Sequence, residues 1–184
     1  MPNIMVLSKI SFVDCASLRA DIVLLLESST SVNHANFLQF MELLVENYNI
    51  DSGDVQVAVV NLRERPFIEI FFGDYKNKEG TKQAIRKVPF RRRLADFPSA
   101  LKLVRETLFG NGYGSRFDAP NIVVLLTDGF NTTRRNIEQI KEQLKLNAQA
   151  NIKTYCFGNW YQRPVRFKAS CKFNCFIMFC SKTF

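Results

Sequence analysis

Oxygen-bearing side chains follow two separate apolar runs of the sequence. Glu27, Ser29 and Ser31 come directly after the first run, and Asp128 comes after the second. Side chains two residues apart in an extended segment share a side, so Ser29 and Ser31 can offer both hydroxyls to one ion. Hard oxygen ligands of this kind suit Mg²⁺ and Mn²⁺. If the two runs end side by side, these four residues predict a divalent-cation site.

The two apolar runs must be strands of one sheet for such a site to form. Residues 22–26 are continuous Ile, Val and Leu, and residues 121–127 are similar, which is typical of parallel strands covered on both faces. Segments with helical spacing alternate with strand-like runs along the chain. This alternation predicts an α/β fold, a doubly wound, mostly parallel, Rossmann-like sheet with helices on both faces. The carboxyl ends of its parallel strands meet at one edge, where Glu27 and Asp128 would both lie.

Local signals predict the remaining elements. Further strands are predicted at residues 55–62 and 152–157. Pro66 and the short link from Leu62 predict that residues 67–72 form an antiparallel edge strand. Helices are predicted after a cap at either Ser31 or Asn33, at residues 76–88, near Pro98, and at residues 136–146.

The charge distribution and the motif content exclude several function classes. The net charge is +8, but residues 1–144 carry 18 basic and 17 acidic side chains, while residues 145–184 carry seven basic ones and no acid. The excess therefore belongs to the tail, and a nearly neutral body lacks the basic face that nucleic-acid binding requires. With one histidine, no glycine-rich phosphate loop and no apolar run of roughly 18 residues, we expect neither triad catalysis, nucleotide binding nor a membrane span.

The order of these features resembles the von Willebrand factor A (vWA) domain. In that family D-x-S-x-S after the first strand and T-D-G after a later strand form the metal-ion-dependent adhesion site (MIDAS). This chain reads Glu-Ser-Ser-Thr-Ser at residues 27–31 and Leu-Leu-Thr-Asp-Gly at residues 125–129. The nearest likeness is to the modules of type VI collagen and matrilins. The resemblance covers residues 15–158, which predicts a C-terminally incomplete vWA domain followed by a basic, cysteine-containing tail at residues 159–184.

The resemblance implies a metal site with two departures from the family pattern. Ser29, Ser31 and Asp128 match the pattern, whereas Glu27 stands for an aspartate and is one methylene longer. A family threonine that binds the metal falls on Ala95, which has no side-chain oxygen. Because Mg²⁺ demands near-octahedral geometry, displaced or missing ligands predict weak binding of Mg²⁺ or Mn²⁺ at a degenerate MIDAS.

Two other interpretations of this region stay open. Ser and Thr after a buried strand are also the residues that begin a helix, so the serines alone can be caps. The loop that carries Ala95 also contains Asp96, which could replace the missing ligand, and the basic run Arg91, Arg92 and Arg93. These arginines either form a solvated loop or replace the metal by donating bidentate hydrogen bonds to an acidic group of a partner.

The cysteines and a sequon bear on location. Five cysteines allow two disulfides and one thiol, and their spacing does not indicate a zinc site. By the resemblance, Cys15 is a disulfide candidate whose partner in the tail stays open. Asn131 lies in the only glycosylation sequon, Asn-Thr-Thr, directly after the T-D-G motif.

The function implied by the resemblance is non-enzymatic protein binding in the extracellular matrix. Its partners would be collagens, other matrix proteins or cell-surface receptors. Cys15 and the sequon at Asn131 favour secretion, although no signal peptide is visible in the sequence. Two alternatives remain open: an intracellular vWA subunit that assists a metal-handling or ATP-driven complex, and an inactive fragment of a collagen-like chain.

Overall fold

A computed structural model describes residues 19–29, 32–92, 94–110, 112–127 and 134–157. Within these ranges five strands form one sheet with helices packed against it. The strands are β1 (Ala20–Glu27), β2 (Val55–Leu62), β3 (Phe67–Ile70), β4 (Asn121–Leu126) and β5 (Ile152–Phe157). The helices are α1 (His34–Glu46), α2 (Lys78–Arg86), α3 (Phe97–Leu103), which continues into a π-helical turn (Val104–Leu108), and α4 (Arg134–Gln149).

The sheet has the order β3-β2-β1-β4-β5. β1 lies in the centre and pairs in parallel with β2 and β4, and β5 pairs in parallel with β4. β3 pairs antiparallel with β2, at the end of this order. The doubly wound, mostly parallel α/β fold with one antiparallel strand is therefore confirmed. All eight residues of β1 are buried, as the continuous apolar run at residues 22–26 predicts for its middle; the charged residues Asp21 and Glu27 near its ends are buried as well.

The core consists of two apolar clusters, one on each face of the sheet. Alternate residues of β1 point to opposite faces, so Leu24 and Leu26 join one cluster and Val23 and Leu25 join the other. The first cluster packs against α1 and α2, which contribute Met41, Val45 and Ile85. The second packs against α3, the π-helical turn and α4, which contribute Leu101, Leu108 and Ile140. Both faces are covered, which explains why polar alternation is absent from β1.

Side-chain caps set where the helices begin. Of the two cap candidates for α1, Asn33 is the one used, since its side chain accepts a hydrogen bond from the amide of Asn36. Asn77 caps α2, so that helix begins at Lys78 rather than at residue 76. None of the described helices combines the length and the apolar character that crossing a bilayer requires.

Surface ion pairs connect α1 and α2. Lys82 contacts Glu46 at 2.8 Å, and Arg86 contacts Glu42 at 2.7 Å. The hydrogen bond from Lys82 lowers the pKa of Glu46 below its ordinary value. Exposed pairs of this kind contribute little to stability, but they neutralise the basic side chains of this face.

A buried ion pair holds the opposite end of the sheet, where β1 begins. The Arg116 guanidinium contacts the carboxylate of Asp21 at 2.7 Å, and the amide of Arg116 donates to the same carboxylate at 2.5 Å. The guanidinium also donates to the carbonyl oxygens of Ala20, Gly53 and Asp54, at 3.0, 2.6 and 2.9 Å. Asp21 is fully buried. Arg116 thus connects the start of β1, the turn before β2 and the loop before β4.

Candidate functional site

The described site residues lie at the carboxyl ends of two adjacent parallel strands. Glu27 ends β1, Ser29 follows it, and Thr127 follows β4. All three side chains are buried. The sequence prediction that the two apolar runs end side by side is correct for the described residues. Ser31 and Asp128 lie outside the described residues, so their predicted part in the site stays a prediction.

The carboxylate of Glu27 accepts hydrogen bonds from two hydroxyls. Ser29 Oγ donates to Glu27 Oε1 at 2.6 Å, and Thr127 Oγ1 donates to Glu27 Oε2. A buried carboxylate is costly unless hydrogen bonds compensate for lost water, and each oxygen of Glu27 has such a bond. Sequence reasoning did not select Thr127, although its place in the T-D-G motif and the register of β4 with β1 put it within reach.

A loop at residues 89–96, of which residue 93 is not described, crosses the same edge of the sheet. We call it the basic loop. The amide of Arg91 donates to Ser28 Oγ at 2.7 Å, and the side chain of Asn61 donates to the carbonyl of Pro89 at 2.9 Å. The amide of Asp96 donates to the carbonyl of Arg63 at 3.3 Å. These bonds hold the basic loop across the ends of β1 and β2.

Ala95, at the position of the missing threonine, and Asp96, the possible replacement ligand, both have structural roles. Ala95 is buried in the apolar cluster that includes Phe97 and Leu101. Asp96 caps α3, and its carboxylate accepts from the amide and the hydroxyl of Ser99 at 3.1 and 2.6 Å. Both Asp96 oxygens are therefore engaged by the helix start.

The described donor set fits a divalent cation poorly. Mg²⁺ requires about six oxygen ligands in near-octahedral geometry. Here the described candidates offer only the oxygens of Glu27, Ser29 and Thr127, and the position of Ala95 offers only a methyl group. In the described part of the chain, no three His, Cys, Asp or Glu side chains group together in a way that could hold a metal.

Three other sequence predictions cannot be placed. Cys15, Asn131 and the tail at residues 159–184 lie outside the described residues. The proposed disulfide, the glycosylation site and the domain boundary at residue 158 therefore stay predictions.

Sequence comparison connects this crevice with a family. The family model of the von Willebrand factor type A domain matches residues 21–178. The chain is 33% identical over 152 residues to the collagen alpha-1(XII) chain of Notophthalmus viridescens, an alignment that covers 80% of this chain and 16% of that one. It is 29% identical over 141 residues to matrilin-1 of Gallus gallus, with 75% and 28% covered. The chain thus spans less than a third of either relative.

Structure comparison points to the same fold. Proximal thread matrix protein 1 from the mussel byssus, solved with a zinc-occupied MIDAS motif, aligns with a TM-score of 0.66 and 22% identity, over 77% of this chain and 38% of that chain. The manganese-loaded TRAP protein of Plasmodium vivax aligns with a TM-score of 0.65 and 18% identity, over 77% and 57%. The family model matches most of this chain, and the sheet and crevice described above agree with it. This chain therefore belongs to the von Willebrand factor type A domain family.

Proposed function

We infer that the protein is a non-enzymatic adhesion module of the extracellular matrix that binds other proteins through the carboxyl edge of its sheet. The observation that carries this inference is the crevice formed by Glu27, Ser29 and Thr127 in a chain similar to a collagen and a matrilin. Ligands of doubly wound sheets bind at this edge. Its partners are collagens, other matrix proteins or cell-surface receptors.

The metal site of this module is a degenerate MIDAS. Glu27, Ser29, Ser31 and Asp128 are its residues, with Ala95 in place of the threonine. Two observations support this proposal: Ala95 is packed among apolar side chains, and Glu27 is one methylene longer than the aspartate of the family pattern. Mg²⁺ or Mn²⁺ would bind weakly, so adhesion does not depend on either ion.

Two further proposals follow if the protein is extracellular. Cys15 forms a disulfide with a cysteine of the tail, and Asn131 is glycosylated. The domain extends over residues 15–158, and residues 159–184 are a separate basic tail. Mass analysis of secreted protein without reduction tests the disulfide and the glycan together.

A solid-phase assay tests the adhesive function. Purified protein is applied to wells coated with fibrillar collagen, matrilin or albumin, in buffer with Mg²⁺ or with EDTA. We expect saturable binding to at least one matrix protein and none to albumin, with the same half-saturation in both buffers. Absence of saturable binding to every matrix protein would contradict the adhesive function. Loss of binding in EDTA would contradict only the degenerate metal site.

A further inference from the structure

Four arginines lie in the loops at the carboxyl edge of the sheet, and none of them is ion-paired with a described residue. Arg63 and Arg65 follow β2, and Arg91 and Arg92 belong to the basic loop. Arg65, Arg91 and Arg92 are exposed and Arg63 is half-buried. None of the four forms an ion pair with a described residue, whereas other basic side chains do: Arg19, Lys82, Arg86, Lys102, Arg105, Arg116 and Lys141. Within the described part of the chain, these four guanidinium groups are therefore not paired with a carboxylate.

Most of the described acidic side chains near these arginines accept hydrogen bonds from neutral groups, and none of them forms an ion pair with the arginines. Glu27 accepts from Ser29 and Thr127, and Asp96 caps α3. Glu69 accepts from the side-chain amide of Asn61 at 3.1 Å. The carboxylate of Glu64 is exposed between Arg63 and Arg65 in the sequence, and it offsets one of the four charges.

The backbone of the basic loop is held by hydrogen bonds and ring contacts. Besides the bonds to Ser28, Asn61 and the backbone of Arg63, the ring of His34 contributes two contacts. Its Nε2 lies 2.9 Å from the carbonyl oxygen of Val88, and the ring stacks on Phe90 with centroids 4.9 Å apart. A preorganised loop loses less conformational freedom when a partner binds, so more of the contact energy is available for affinity.

Two of the guanidinium groups lie over aromatic rings. Arg63 Cζ is 5.1 Å from the ring centroid of Phe67, and Arg92 Cζ is 5.5 Å from that of Phe90. Stacking on a ring fixes the plane of the guanidinium. Arg92 is exposed, so its N–H groups are available to a partner, whereas Arg63 is half-buried. An exposed guanidinium in a fixed plane favours bidentate hydrogen bonds to a carboxylate.

Exposed apolar side chains lie beside the charges and indicate the class of partner. Leu94 is 74% exposed in the basic loop, and Phe67 is 50% exposed beside Arg63. A sulfated polysaccharide offers negative charge but no apolar group to cover these side chains. An acidic protein segment offers both, because Leu or Phe can alternate with Asp and Glu along it.

We propose that the four arginines, together with Leu94 and Phe67, form a metal-independent docking site for an acidic protein segment that carries apolar residues. This proposal rests on the proposed adhesive function and specifies which residues bind the partner. The partner carboxylates bind the guanidinium groups of Arg91 and Arg92 without an intervening cation. The partner's apolar side chains cover Leu94 and Phe67.

Fluorescence anisotropy with a defined peptide tests this site. The probe is fluorescein-labelled Gly-Glu-Leu-Asp-Glu-Phe-Glu-Gly, titrated with the whole chain in EDTA. Arg91→Gln with Arg92→Gln removes two charges from exposed positions, and Lys141→Gln with Lys145→Gln removes the same charge from the exposed side of α4. We expect the first pair to weaken binding at least about tenfold, or 1.4 kcal/mol, and the second pair to leave it unchanged.

Several results would overturn the site. These are equal weakening by the two pairs, undiminished binding of a probe whose Leu and Phe are replaced by Ser, and absence of peptide binding while a heparin fragment binds. A requirement for Mg²⁺ would also overturn it. Testing the Arg91→Gln, Arg92→Gln variant on matrix-coated wells separates the two proposals: if it adheres like the parent, the adhesive function stands and the docking site falls.

Discussion

Replacing Arg116 with alanine is expected to cost about 3–5 kcal/mol of folding free energy, the usual penalty for removing one partner of a buried ion pair. Asp21 is fully buried, and the substitution leaves its carboxylate with only the amide of residue 116 among the bonds described above. The carbonyl oxygens of Ala20, Gly53 and Asp54 also lose a charged donor. Unfolding by urea, followed by circular dichroism, measures the loss.

Arg19→Ala is the matched control for this prediction. Arg19 pairs with Asp118 at 2.9 Å, also near the start of β1, but the two side chains are 47% and 46% exposed. Exposed ion pairs contribute roughly 0–1 kcal/mol. If the two alanine variants lost similar free energy, Arg116 would not be the connection between the start of β1 and its neighbouring loops.

Combining Glu27→Asp with Ala95→Thr is expected to create a response to Mg²⁺ or Mn²⁺. The shorter carboxylate cannot reach Ser29 and Thr127 as Glu27 does. By the family pattern a threonine at position 95 supplies the missing hydroxyl, provided that its side chain turns from the apolar cluster around Ala95 toward the crevice. At a cation concentration of about 100 times the dissociation constant, binding to the folded state adds about 2.7 kcal/mol. In a chain of this size that raises the unfolding midpoint by roughly 5–10 °C.

The single variants are the controls for the double variant. Each variant returns one of the two positions to the residue of the family pattern. We therefore expect each to respond to the cation less than the double variant does. A double variant with no response to either cation would show that residues 27 and 95 are not what weakens the site. A full response from Ala95→Thr alone would show that Glu27 is compatible with the metal.

The strands were predictable because their signals are local. β2 and β5 have the predicted bounds, and residues 121–127 exceed β4 by one residue. The antiparallel strand was predicted to reach residue 72 but ends at Ile70. The reason is that the amide of Phe71 bonds to the side chain of Asp74 at 2.8 Å, which forms a turn. A side-chain acceptor three residues ahead is a weaker signal than an apolar run.

The contacts that depend on tertiary structure were not predictable. Arg116 and Asp21 are 95 positions apart, and no pattern in either segment indicates the other. The bond between Thr127 and Glu27 likewise depends on the register of β4 with β1. The sequence motif identified the crevice. That the hydroxyls of Ser29 and Thr127 donate to Glu27 depends on how the strands are placed in the fold. The same holds for Asp96, whose role as a cap depends on the start of α3.

We propose that this vWA crevice is an adhesive surface that binds no divalent cation tightly. The most direct test of this proposal is the unfolding midpoint of the unaltered protein during titration with Mg²⁺ and then Mn²⁺. A dissociation constant of about 10 mM or weaker adds no more than about 0.4 kcal/mol at 10 mM cation, so we predict almost no shift. A saturating rise of the midpoint at micromolar cation would contradict the claim.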